Sequence, residues 1–365
     1  MSDDSKEPVA PRPPDVVAHD GEDPEMDMEG EGRPDHPPGR IVAVTGTSGF
    51  LGRNLVGLLE DSDRVERVIS LDPQAPATAG RKTRHFDVDL TRGNPEERIA
   101  EILGAEGVDT LVHLAFRSSP SHRPGNVHEL ESVGTMHTLN ACRRTQVHKV
   151  VLWSQTFLYG AHPTNPNFLS ERHPLRSERG DFFFGDKVEA EADAMDFGKR
   201  GRGRIVTILR TAPIVGPSVD NFVTRYLSQQ RVPTVMGFDP LWQFLHESDA
   251  VAAFKRAIDH DAAGIFNIAG EGVLPLSKVI RVVGRNRVPL PRPVANLAIG
   301  ALWAARASAI PAAFLDYLQY VCVADTARAR RELGFVPMYT SREAVLDFAS
   351  AQTLRDVKLL SENPA

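Results

Sequence analysis

The chain has 365 residues, 41% hydrophobic and 25% charged, an ordinary globular composition with enough apolar content for one large core or two smaller ones. Its formal charge of −6 is uneven: residues 1–39 hold twelve acids against Lys6, Arg12 and Arg33, which leaves the remainder near +3 and without a nucleic-acid footprint. Cys142 and Cys322 lie far apart with no metal-ligand spacing, and Met1-Ser2-Asp3-Asp4 lacks the basic and apolar regions of a secretory signal, so a reduced, cytoplasmic setting is expected and no metal.

In chain order, 1–39 is expected to be a disordered, acidic, proline-rich tail, because it cannot bury enough apolar surface to offset its ordering entropy. Ile41–Thr45 then reads as a β-branched strand that runs into a glycine-rich turn. Phe50–Glu60 has helical spacing, with Leu51, Leu55, Leu58 and Leu59 toward one side. Val65–Leu71 and His85–Val88 read as the second and third strands. Thr110–Leu114 and Lys149–Trp153 are largely apolar runs of the kind that parallel strands show when both faces are covered. Arg204–Leu209 supplies a sixth strand, and helices are expected at Val133–Thr145 and Asp186–Gly198. This alternation predicts an α/β fold, a Rossmann-type doubly wound parallel sheet over 40–210.

After Arg210 prolines break the rhythm, and 211–355 is expected to be a smaller, irregular C-terminal substrate lobe, partly returning to the first domain, with a tail at 356–365. Pro293–Ile310 is apolar and alanine-rich but interrupted by Arg306, and reads as a buried or surface-docked helix rather than a membrane span. Arg200-Gly201-Arg202-Gly203-Arg204 reads as a solvated turn. Thr340-Ser341-Arg342-Glu343 has capping-box spacing and should open the last helix.

The turn Gly46-Thr47-Ser48-Gly49-Phe50-Leu51-Gly52 stands between a predicted strand and a predicted helix, the context a dinucleotide site requires. Gly46 permits the tight turn, Gly49 lets the backbone approach a pyrophosphate, and Gly52 allows close helix–strand packing. Asp72 follows Gly52 by 20 residues at the end of the second strand, where a carboxylate accepts from adenosine ribose hydroxyls and repels a 2′-phosphate. Pro73 and Gln74, not arginine, come next. The expected cofactor is NAD.

These residues resemble the extended short-chain dehydrogenase/reductase family, the NAD-dependent epimerase/dehydratase group. The resemblance spans roughly 41–350 and rests on Thr45-Gly46-x-x-Gly49-Phe50-Leu51-Gly52, Asp89-Leu90 and His113-Leu114-Ala115. Leu158-Tyr159-Gly160, Leu209-Arg210 with Gly216-Pro217, and Ala329-x-x-Glu332-Leu333-Gly334-Phe335-x-Pro337 extend it. It implies that Asp89 contacts the adenine and that Ala115 packs near the nicotinamide half. Many relatives pair through two long helices, which implies a possible homodimer through Val133–Thr145 and Asp186–Gly198. A nucleotide sugar is the family's commonest substrate, with sterol-like alcohols and flavonoid-type ketones also found.

The family's chemistry uses a Tyr-x-x-x-Lys pair, in which the phenol exchanges a proton while the lysine binds the nicotinamide ribose and lowers the tyrosine pKa. Here the matching run is Phe183-Phe184-Gly185-Asp186-Lys187, so lysine is present and the tyrosine position holds Phe183. The family's hydroxyl residue aligns with Gln155, and its asparagine with Glu131. Phenylalanine transfers no proton, and glutamine has no useful acid–base function. Substitutes to weigh are Ser154, Thr156, Tyr159, Asp181 and Asp186; Ser248, after His246, reads as a helix cap. Phe116, Phe182, Phe183, Phe184 and Trp242 suggest an apolar pocket, or a core. Three readings stand: an NAD-dependent enzyme on a nucleotide sugar or other secondary alcohol or ketone, with an unusual proton donor; a non-catalytic NAD-binding sensor or regulatory protein; and an idle scaffold, which the intact glycines, Asp72 and Lys187 speak against.

Overall fold

The computed structural model describes residues 39–176, 184–306, 308 and 310–362; the expected acidic tail, apart from Gly39, lies outside them. Seven strands, β1 (Arg40–Thr45), β2 (Val65–Leu71), β3 (Thr83–Phe86), β4 (Thr110–His113), β5 (Lys149–Gln155), β6 (Ile205–Thr211) and β7 (Gly264–Ile268), build one parallel sheet. Its order is β7-β6-β5-β4-β1-β2-β3, so the winding reverses between β1 and β4. Open sheets of this type hold ligands at that reversal, outside the carboxyl ends of the strands.

The centre of the sheet is apolar on both faces: Val42, Ala43 and Val44 of β1 and Val150, Val151 and Leu152 of β5 are fully buried. One face is covered by α1 (Phe50–Glu60), while α2 (Pro95–Glu106), α3 (Gly134–Arg143) and α4 (Gly185–Lys199) lie on the other. A further helix, α5 (Glu247–Asp259), packs beside α1 although it comes from the C-terminal part of the chain. Leu51, Leu55, Val56 and Leu59 form the buried side of α1. Leu58 was expected there and is instead 39% exposed, because the buried arc runs from Leu51 through Leu55 and Leu59 to Val56 and Leu58 falls just outside its Leu51 edge.

The strands depart from expectation, first at β6, which runs on from the expected Leu209 to Thr211. β3 lies two residues before His85–Val88, since Phe86 and Val88 are drawn into bonds with the backbone of Asp72 as the chain leaves the sheet. β7 was not expected at all. Its run Gly264-Ile265-Phe266-Asn267-Ile268 is short and broken by a polar residue, and that residue is fully buried: Asn267 donates to the Leu169 and Asp325 carbonyls and accepts the Tyr159 hydroxyl at 2.7 Å.

At the start of β5, Lys149 is fully buried and gives its three protons to Ile258 O, His260 O and Asp261 Oδ1 at 2.9, 2.7 and 2.9 Å. Its charge meets the carbonyl end of α5, where the helix dipole favours a cation.

The chain beyond β6 adds three two-stranded pieces and the short helices Phe222–Ser228 and Leu276–Val282 around an aromatic core of Phe157, Phe184, Phe222, Trp242, Phe314 and Tyr317. The apolar stretch after Pro291 forms α6 (Arg292–Ala304), which buries Ala295 and Ile299 and leaves Leu297 76% exposed. No helix of the described residues is long and apolar enough to cross a membrane. The last helix, α7 (Ser341–Glu362), opens on the expected reciprocal cap: Thr340 N–H donates to Glu343 and Glu343 N–H to Thr340 Oγ1. It runs past 356, where a tail was expected, through residues with good helix propensity such as Lys358, Leu359 and Leu360. The cap of α5 is His246, not Ser248, because the imidazole Nδ1 takes the Ser248 N–H itself.

Candidate cofactor and substrate site

Gly46 stands at φ +71°, and a side chain there would come within 2.6 Å of the Leu114 carbonyl oxygen. A side chain at Gly52 would overlap the Gly46 carbonyl. Gly46 therefore lets the turn after β1 lie flat against the end of β4, and Gly52 lets α1 close onto the turn itself. At the N-terminus of α1, Gly49 is extended, no side chain caps the helix and no acid sits in its first turn. The first amides of α1 thus point outward without intrahelical partners, which suits an anion.

Two cavities flank this turn and share Gly46, Gly49, Leu114 and Phe116. The one on the β2 side, about 520 Å³, is lined by Asp72, Asp89, Leu90 and Ala115. Asp72 is nearly buried; one carboxylate oxygen accepts from Ser48 N–H and Oγ at 3.2 and 3.0 Å, the other from Gln74 N–H at 3.0 Å. Burial pushes the Asp89 carboxyl up, but the two Thr91 hydrogen bonds and Arg92 outweigh it and hold the group below its ordinary value. The other cavity, about 150 Å³, lies on the β5 side against Phe50, Leu51, Gly52, Trp153 and Gln155.

Glu131 and Lys187 meet beside this groove. The Lys187 ammonium is 2.5 Å from Glu131 Oε2, with side-chain exposures of 2% and 0%, and Glu131 Oε1 accepts the Arg117 N–H at 2.7 Å. Neither residue lines either cavity; the Phe116 ring, which lines both, lies 5.9 Å from the ammonium. Burial pushes the Glu131 carboxyl up, and Lys187 pulls it only part of the way back.

Glu131 sits in a widened π-type turn, Glu129–Val133, where the Gly134 N–H reaches back to Glu129 O. Thr135 Oγ1 donates to the Glu131 carbonyl at 2.5 Å, so it accepts from His113 Nε2 at 2.8 Å. That fixes the imidazole as the Nε2–H tautomer and leaves Nδ1 to accept from Thr45 Oγ1. Burial pulls the His113 pKa down to about 3, so the ring stays neutral and ties the turn to β1 and β4.

A model of the NAD dependent epimerase/dehydratase family matches residues 42–269. The chain belongs to this family. An uncharacterized protein of Mycobacterium tuberculosis is 35% identical over 333 residues, covering 89% of this chain and 86% of its own. UDP-glucuronic acid decarboxylase 1 of Arabidopsis thaliana is 28% identical over 66% of this chain and 58% of its own. Among solved structures, MoeE5 in complex with UDP-glucuronic acid and NAD superposes with a TM-score of 0.67 at 23% identity, covering 86% of this chain and 99% of that one. The dTDP-glucose 4,6-dehydratase DesIV of Streptomyces venezuelae, with NAD bound, gives 0.65 at 20%, covering 87% and 98%. These neighbours share the fold.

Within the epimerase/dehydratase frame, the positions singled out in the sequence fall into four groups. Gly46, Gly49, Phe50, Leu51, Gly52, Asp72, Asp89, Leu90, Ala115 and Gln155 line the two cavities, and Lys187 stands behind them on Glu131. Ser154 and Tyr159 are engaged elsewhere: Ser154 donates to Glu191, and Tyr159 accepts from Arg210 and donates to Asn267. Thr156 is buried and does not line either cavity. Phe183, Phe182 and Asp181 lie outside the described residues. Of the suggested pocket aromatics, Phe116 lines the groove, whereas Phe184 and Trp242 belong to the aromatic core.

Sequence reasoning missed Trp153, Phe157 and Phe222 in the β5-side wall. The signal for Phe222 was the Asn221-x-x-Thr224 spacing, a capping box whose Asn221 Oδ1 accepts from Val223 and Thr224 N–H at 2.9 Å each. Glu131 had been read as a lost asparagine; its opposite charge to Lys187 was the clue to a pair.

Asp186 accepts from His128 Nδ1 at 2.7 Å, and Glu189 accepts from Ser132 Oγ at 2.8 Å; with one ligand atom each, His128, Asp186 and Glu189 lie within 4.8 Å of one another. The hydrogen bonds account for the cluster, and no metal is assigned to it. The Asp186 bond raises the His128 pKa above its ordinary value. Any stability from the charged pair is thus full below about pH 6.5 and lost as pH rises through the raised pKa. An NMR titration of the His128 ring should report the raised value, and Asp186→Asn should bring it down; a wild-type value at or below the ordinary one would contradict the bond.

Proposed function

We propose that this chain binds NAD across the two cavities and uses it for reversible hydride transfer at the carbon of a secondary alcohol or ketone. The observation that carries this reading is the groove at the sheet's reversal point, divided by a glycine turn that a Cβ at Gly46 or Gly52 would fill. The uncapped end of α1 would face the pyrophosphate, and Asp72 would accept from the adenosine ribose hydroxyls. When bound, NAD supplies the hydride acceptor or donor. Gln155 would donate a hydrogen bond to the substrate oxygen. Asp220, also in the β5-side wall, is held below its ordinary carboxyl value by Arg225 and is a poor base. Among the described residues of that wall no other side chain is a strong base, so the proton would pass to water and turnover should be slow.

A second reading, a cofactor-binding protein without turnover, draws support from the engagement of Lys187 by Glu131, of Ser154 by Glu191 and of Tyr159 by Asn267. Both readings require the cofactor. Native mass spectrometry of the purified chain should find one NAD per chain, on a homodimer if α3 and α4 pair as they do in many relatives. A chain that takes up no added NAD would overturn both readings.

A further inference from the structure

We infer that the β5-side cavity takes an uncharged, apolar alcohol or ketone and rejects a nucleoside diphosphate. This rests on the proposal that hydride transfer occurs in that cavity. Its walls are Phe50, Phe116, Trp153, Phe157, Ile214 and Phe222, and its described lining residues include no lysine, arginine or histidine. The single charge among them is Asp220, whose two oxygens are gripped by Arg225 at 2.6 and 2.7 Å.

The polar groups in the wall are mostly spent. Thr211 Oγ1 accepts from Trp153 Nε1 at 3.0 Å and donates to Ser154 O at 3.2 Å. Asn221 caps the helix that follows it, so the amides of Val223 and Thr224, which would otherwise receive an anion, are already satisfied. Behind the wall, Phe157 packs on Phe184, Phe222, Trp242, Phe314 and Tyr317, and Trp242 Nε1 is given to the Tyr317 carbonyl. With the α1 amides on this wall given to the NAD pyrophosphate, a second diphosphate entering the loaded cavity would lose water and meet rings and a carboxylate in return. An apolar ketone would lose little and needs one donor, which Gln155 supplies.

The test is calorimetric titration of the NAD-loaded protein with 2-decanone, UDP and UDP-glucose, after NAD binding has itself been measured. The expected result is saturable binding of 2-decanone, with UDP and UDP-glucose weaker by about tenfold or more. Gln155→Glu, which sets a charge in the cavity at nearly constant volume, should weaken 2-decanone by about tenfold or more. Failure of NAD to bind would sink the functional reading beneath. With NAD bound, tighter UDP-glucose than 2-decanone, binding of none of the three, or an unchanged ketone affinity in Gln155→Glu would each overturn this inference alone.

Discussion

Replacing Lys187 with methionine is expected to lower the folding free energy by about 3–5 kcal/mol. The change leaves Glu131 fully buried with the Arg117 N–H as the donor to its carboxylate. Burial already pushes this carboxyl up, so in the variant it will take a proton more readily still. An acid whose folded pKa is raised opposes folding above its unfolded pKa, so the deficit should grow from about pH 5 to about pH 8. Adding Glu131→Gln removes the charge and keeps an acceptor for Arg117, and should recover at least half the loss. Guanidinium unfolding of the wild type, the single and the double variant measures this. A single variant within about 1 kcal/mol of wild type at both pH values would mean that the pair does not form.

The second large effect concerns the family's tyrosine position, which the resemblance sets at Phe183. A positioned general acid–base contributes roughly a 10²- to 10⁴-fold rate effect, and Phe183 cannot provide one. Wild-type turnover of family substrates should be very slow or absent. Phe183→Tyr with Gln155→Ser should raise residual alcohol–ketone hydride transfer, but only in part, because Glu131 holds the lysine that the resemblance assigns to lowering the tyrosine pKa. Adding Glu131→Asn should release the remainder. NADH absorbance against nucleotide sugars and apolar secondary alcohols, compared across wild type, double and triple variants, gives the answer. Fast wild-type turnover that the double change abolishes would show that Phe183 and Gln155 belong to a different chemistry.

The parts of the fold that were legible in the sequence are those written in consecutive residues. Phe50–Glu60 and Val65–Leu71 were bounded to the residue, because a helical apolar stripe and a buried β-branched run are local patterns. The glycine turn was legible for the same reason. β7 was not, since Asn267 interrupts its pattern for the sake of Tyr159, 108 positions away. Nor was the cap at His246, where a ring nitrogen does what a hydroxyl or carboxylate usually does. In the site, the resemblance set Gln155 and Glu131 against the family's hydroxyl and asparagine position by position. The ion pair could not be read that way: Glu131 and Lys187 are 56 positions apart, and only the fold brings the carboxylate onto the ammonium.

The central claim, that the divided groove is an NAD site with Asp72 as its ribose partner, is tested most directly by calorimetric titration with NAD and NADP on wild type and Asp72→Ala. The account predicts one NAD per chain, NADP weaker by about tenfold or more, and loss of that preference in the variant. Equal affinities in the wild type, or an unchanged preference after Asp72→Ala, would contradict it.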